Sequence, residues 1–222
     1  MAASEKKAPA DFRGRLRLAT RDAHLRLEDA VDFDGRITSL EAYRGFIEDF
    51  YRLVRPLEAM LGGLDLSMLP IDYPSRRKLP WIEADLKDLG HTDETLARLP
   101  DYPGIPPLAP PLEVLGALYV LEGSSLGRQA MLGALGARLG VRPDWCGHFF
   151  SGYGKRTGEM WRGFVAVLNE AGRSPEAAQV IENAALASFA AFEACLAEGR
   201  HKSETRAAQP GLRCPVGRNR ET

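Results

Sequence analysis

The 222-residue sequence is short of most features that would assign it quickly. It has three cysteines, Cys146, Cys195 and Cys214, odd in number and scattered, so they suggest neither a disulfide framework nor a zinc site. It has almost no net charge: 29 Lys and Arg against 30 Asp and Glu give a formal −1, which offers no overall pull toward nucleic acid. Any basic patch is therefore local, and a small anionic ligand suits it. It has no long hydrophobic run, since the most apolar stretch, 106–121, is broken by prolines and by Glu113. The N-terminal MAASEKKAPADFRGR lacks the apolar core of a signal peptide. The expectation is a cytoplasmic protein with no membrane and no nucleic-acid partner. No segment alternates with period two between turn signals, so strands are not expected, and no internal repeat is visible.

What is present is an ordinary globular balance, 45% hydrophobic and 27% charged residues, in a chain long enough for one sizeable core. The expected organisation is a flexible N-terminus over 1–11, one all-α domain over 12–197 and a disordered polar tail over 198–222. Helical spacing of apolar residues predicts a first helix over about 11–31. A second follows Ser39, with Tyr43, Phe46, Ile47, Phe50, Leu53, Val54, Leu57 and Leu61 on one side and Gly62 and Gly63 at its end. A third enters through Pro80 and closes at Gly90. Six of the twelve residues from Pro100 to Pro111 are proline, which predicts an extended loop. Further helices are predicted over 112–139, 157–171 and 175–197, the last with Val180, Ala184, Ala187, Ala191 and Cys195 on one face.

Two elements carry chemistry. Leu16, Thr20, His24, Leu27 and Val31 fall within a stripe about 80° wide, which points His24 to the apolar side of its helix. Such a histidine is either a neutral core residue satisfied by a carbonyl or a metal ligand. Arg17 lies two turns earlier near the same azimuth, where a cation suits a large flat anionic ligand. Glu28 lies one turn later, placed to fix the second ring nitrogen or to pair with an arginine at the surface. The second element is a helix holding Gly116, Gly123 and Gly127 on one face. Each glycine costs roughly 0.5–1 kcal/mol in a helix interior, so something approaches the backbone there: another helix, or a flat rigid ligand. Ser124 and Ser125 lack the strand-turn-helix setting of a hydrolase nucleophile.

ATRDAHLRLED and LYVLEGSSLGRQ together resemble the proximal and distal motifs of the haem oxygenase family, in its bacterial, biliverdin-producing branch, and RRKLPWIEADLKDLG and YGKRTGEMWRGF resemble further segments of it in the same order. The resemblance covers roughly residues 12–197. It implies a helical fold that holds haem, at once cofactor and substrate, between a proximal helix and a kinked distal helix. His24 becomes the iron ligand with Glu28 behind it, and Gly123 and Gly127 the distal glycines, with Ser124 and Ser125 placed to hold water. Arg17 corresponds to a basic position near a haem propionate, and Tyr119, Tyr153, Lys155, Arg156 and Arg162 are further candidates for that edge. Phe189 and Phe192 are candidates for packing on the macrocycle. The implied reaction is haem cleavage by O2 to biliverdin, CO and ferrous iron. Electrons come from a reductase, ferredoxin or flavodoxin, and a bacterial phytochrome is a candidate acceptor of the product. The alternative is a haem-binding sensor or carrier without turnover. One departure stands out: Arg128 follows the second distal glycine where the family commonly has a small residue, with three possible dispositions, crowding the pocket, reaching a propionate or pointing to solvent.

Overall fold

Asp11 opens the first helix by accepting the Gly14 amide at 3.0 Å, the contact that favours Asp at helix starts. The computed structural model describes residues 11–207, apart from the side chains of Gln129 and 202–207; the segments 1–10 and 208–222, with Cys214, lie outside the described residues. The single helix expected over 11–31 is two, α1 (Phe12–Ala19) and α2 (Arg21–Val31). Thr20 explains the break: its hydroxyl donates to the Leu16 carbonyl at 2.8 Å, a local bond that bends helices. After the four-residue α3 (Phe33–Arg36), Ser39 caps α4 (Leu40–Gly62) at the Ala42 amide, and the apolar face read from its sequence is buried from Tyr43 to Leu61 except for half-buried Phe50.

Helix α5 (Leu79–Asp88) enters through Pro80, and Gly90 beyond its end takes φ 96°, a value that suits glycine. Helix α6 (Asp93–Ala97) was not predicted; a reciprocal cap between Thr92 and Thr95 starts it, but five residues are too few for periodicity to show. The proline-rich stretch is free of helix up to Pro111, and α7 (Leu112–Leu139) follows. Helix α8 (His148–Ser151) is a single turn whose amides at His148 and Phe149 donate to Asp85 at 2.7 and 3.0 Å. Helix α9 (Thr157–Ala171) and α10 (Pro175–Ala207) complete the chain, and among the described residues only isolated bridges at Arg142 stand outside the helices and loops.

Two expectations for α10 need correcting. The helix does not stop at Ala197 but runs to Ala207, because polar residues beyond the apolar pattern are tied to the body: Glu198 to Arg52 at 3.5 Å and Arg200 to the Asp29 carbonyl at 3.1 Å. Of the expected face Ala184, Ala191 and Cys195 are buried, together with Ile181, Ala185, Ser188 and Phe192, whereas Val180 and Ala187 are exposed. Alanines fit either register, so Val180 misdirected the sequence reading. This is also the one described helix long and apolar enough to cross a membrane, over Pro175–His201. Half of that window is buried against α7, α2 and α4, the situation of a core helix.

The contact of α7 with α10 is the centre of the fold. Every residue from Val114 to Glu122 is buried and all but Glu122 are apolar or glycine, so this half of α7 shows no amphipathic stripe. Gly116 makes the approach possible: a Cβ there would stand 2.5 Å from the Ile181 carbonyl oxygen and 2.7 Å from the Ala185 nitrogen.

Candidate haem site

Helices α2 and α7 both pack on α10, and a cavity of about 530 Å³ opens between them, within the usual size of small-ligand pockets. From α2 it is lined by His24, Leu27, Glu28 and Val31, and from α7 by Tyr119, Val120, Gly123, Ser124, Gly127, Arg128 and Met131. One end carries Arg13, Arg17 and Trp161; the other is walled by Phe46 and Phe50 of α4 and Phe149 and Phe150 of α8.

His24 is not the core residue its helical stripe suggested. Its side chain is 58% exposed and opens into the cavity, edge-on to Phe189 with ring centres 5.9 Å apart. Glu28 Oε1 stands 3.4 Å from Nδ1, which leaves Nε2 as the ring nitrogen available to a metal. The three glycines divide between the two explanations open from their spacing. Gly116 faces α10, as above, whereas a Cβ at Gly127 would meet nothing within 4 Å and one at Gly123 only Trp161 at 4.0 Å. Backbone alone therefore forms this part of the cavity wall.

A buried polar cluster anchors the boundary between the packed and open halves of α7. Glu122, 1% exposed, accepts from Arg76 Nη1 at 2.9 Å, Lys78 Nζ at 2.7 Å and the Tyr153 hydroxyl at 2.7 Å. Burial pushes the Lys78 ammonium down to about 8 and the Tyr153 phenol well up. Tyr153 thus belongs to this cluster and not to the cavity lining. Lys155, Arg156 and Arg162 are exposed and also outside the lining, Arg156 being paired with Glu159 at 3.3 Å. Ser125 is buried and turned away from the cavity, where it accepts from Arg128 Nη2 at 2.6 Å; Ser124 lines the cavity and donates to the Leu121 carbonyl at 2.8 Å. Arg17, His24, Glu28, Tyr119, Gly123, Ser124, Gly127, Arg128 and Phe189 share the one cavity.

Sequence reasoning missed Arg13 and the aromatic end. Arg13 lies one turn before Arg17, so the i, i+4 spacing held a signal for it. Phe149 and Phe150 sit in GHFFSGYG, which has no period to read. Arg13 and Arg128 have unmet donors: Arg13 Nε, and Nε and Nη1 of Arg128, are buried without a hydrogen-bond acceptor.

These residues fit haem. A lone accessible imidazole is a poor site for a bare ion, which draws three or four protein ligands, but suits an iron whose other ligands a porphyrin would supply. Among the described residues the one group able to gather around a bare cation, Asp85, Asp88 and His148, is elsewhere, and both Asp85 oxygens already accept backbone amides. The bare wall at Gly127 admits a flat ring, the aromatic lining suits a macrocycle, and the unmet donor of Arg13 suits its carboxylates.

Comparison with known proteins agrees. The heme oxygenase family profile matches residues 10–198. Heme oxygenase PigA of Pseudomonas aeruginosa is 31% identical over 163 residues, 70% of this chain and 76% of the relative. A heme oxygenase of Xanthomonas campestris pv. campestris is 29% identical over 159 residues, 71% of this chain and 90% of the relative. The NO- and CO-bound heme oxygenase of Neisseria meningitidis superposes with a TM-score of 0.71 at 21% identity, over 87% of this chain and 94% of that one, and so shares the fold. The chain belongs to the heme oxygenase family, an all-α, haem-binding family of haem-degrading enzymes.

Proposed function

We propose that this chain is a cytoplasmic haem-degrading monooxygenase that yields biliverdin, CO and ferrous iron, fed by an external reductase, ferredoxin or flavodoxin. Release of iron, or supply of biliverdin to a bacterial phytochrome, is its use. The observation that supports this most is that an accessible imidazole, His24, and a side-chain-free stretch of helix at Gly127 share one cavity in this fold.

When bound, haem would supply the redox chemistry of O2 activation. The chain supplies placement. His24 would hold the haem iron through Nε2, with Glu28 beside Nδ1 holding the tautomer and raising basicity. A neutral imidazole gives less electron push than a thiolate. Arg13 and Arg17 hold the carboxylates at the open end, Arg13 with its unmet Nε. Gly123 and Gly127 keep side chains out of the reacting space, Ser124 offers a hydroxyl for ordered water, and the phenylalanines exclude bulk solvent.

The test is spectroscopic. Haemin added to the protein gives a Soret complex that His24→Ala loses or weakens at least tenfold. Reductant under air then bleaches the Soret band as a far-red biliverdin band grows. A Soret complex that persists through reduction in air overturns turnover and leaves the second reading, a haem carrier or sensor. Arg128, a buried cation beside Gly127, is the observation that favours that reading.

A further inference from the structure

Arg128 is buried without a counter-ion. Its residue is 4% exposed, its guanidinium carbon lies 4.2 Å from the centre of the Phe149 ring, and of its donors Nη2 reaches the Ser125 hydroxyl while Nε and Nη1 find no acceptor. The acidic groups that act on it through space are engaged elsewhere: Glu122 with Arg76, Lys78 and Tyr153, and Asp85 with two backbone amides. Burial lowers its pKa only to about 10, so it is a cation at neutral pH. A desolvated, unpaired charge is costly, and a fold that keeps one in a ligand cavity has a use for it.

The use follows from its position. The carboxylates of haem are strongly hydrated groups that belong at the open end, with exposed Arg17 and half-buried Arg13. Arg128 lies toward the other end, against Phe149 of the aromatic wall, on the helix that carries Gly127. We infer that the guanidinium charge of Arg128 forms a subsite for a small monoanion on the Gly127 side of the haem cavity, the side that His24 does not occupy. The subsite rests on the haem reading and extends it: the same charge would meet either an exogenous monoanion or a porphyrin carboxylate, and the position favours the former.

The test uses the haemin-loaded protein, as wild type, Arg128→Met and Arg128→Lys. Each ferric complex is titrated with sodium fluoride, sodium azide and, as a neutral ligand of similar access, imidazole. Loss of a desolvated positive charge beside the ion predicts fluoride and azide binding about 10- to 100-fold weaker in Arg128→Met, nearer wild type in the charge-conserving Arg128→Lys, with imidazole within twofold of wild type. Unchanged anion affinities overturn the subsite, as do equal changes for all three ligands, which mean crowding and not charge. Haemin and haemin dimethyl ester distinguish the other source: weaker binding of haemin alone in Arg128→Met, with anion affinities intact, assigns Arg128 to a carboxylate and overturns the proposal. If Arg128→Met does not fold, the azide-to-imidazole ratio in Arg128→Lys decides on the same terms. A wild-type protein that forms no Soret complex overturns the haem reading itself, an outcome separate from all of these.

Discussion

Alanine at two glycines of one helix should move stability in opposite directions. In a helix interior Gly→Ala is worth roughly 0.5–1 kcal/mol in favour of folding where the methyl has room. At Gly127 it has room, with nothing within 4 Å, so the haem-free Gly127→Ala protein should melt about 1–4 °C higher. At Gly116 the methyl would stand 2.5–2.7 Å from the Ile181 carbonyl oxygen, the Ala184 Cβ and the Ala185 nitrogen. Two of those three are backbone atoms that cannot rotate aside, so α7 and α10 must separate at an overpacking cost of about 1–3 kcal/mol. Set against the propensity gain, Gly116→Ala should lose about 1–2 kcal/mol and melt roughly 2–8 °C lower. Haem affinity should follow the other order: the Gly127 methyl enters the space of the ring and weakens haemin binding roughly 5- to 100-fold, while Gly116→Ala leaves it near wild type. Thermal melts by circular dichroism of the haem-free proteins and haemin titration give both quantities. A Gly127→Ala protein that is less stable than wild type, or that binds haemin equally well, refutes the assignment of that glycine to the cavity wall.

Two further outcomes concern the buried charges. Glu122→Gln leaves Arg76 and Lys78 buried without their carboxylate and should cost about 3–5 kcal/mol in urea or guanidinium unfolding; a loss below about 1 kcal/mol would mean that water reaches both cations. Burial raises the Asp85 carboxyl to about 6, against the opposing pull of the Phe149 and His148 amides. A raised folded-state pKa stabilises fully below the unfolded value near 4, and that stabilisation is lost as pH rises through 6. Between pH 4 and pH 7 the stability of Asp85→Asn should therefore rise relative to wild type by roughly 1–3 kcal/mol, read as the difference between denaturant curves at the two pH values, and a constant difference refutes it.

The long helices were legible because each carries its own evidence: Ser39 and the buried row on α4, Pro80 and Gly90 around α5. What escaped depends on contacts between distant segments. The break at Thr20 is one hydrogen bond, and the last turns of α10 are held by Arg52 and Asp29 rather than by any pattern of their own. In the candidate site, His24 and the glycines stood out locally, but periodicity placed His24 on the apolar face without showing that this face opens into a cavity. Tyr153 looked like a ligand-binding residue in its own segment, and Lys78 and Glu122, far from it in sequence, take its hydroxyl instead. Arg128 is read correctly only once Phe149 and Ser125 are seen around it.

The division of α7 at Glu122 bears on how such a protein can change over time. From Val114 to that residue every position is buried, Tyr119 and Val120 touching the cavity at one edge, and most replacements there disturb the fold. Beyond it the helix borders open space at Gly123, Ser124, Leu126 and Gly127, so replacements alter what the cavity accepts while leaving the enclosed half intact. One continuous helix thereby separates heritable stability from adjustable chemistry, and a residue as unusual as Arg128 can arise on the adjustable side without putting the rest of the molecule at risk.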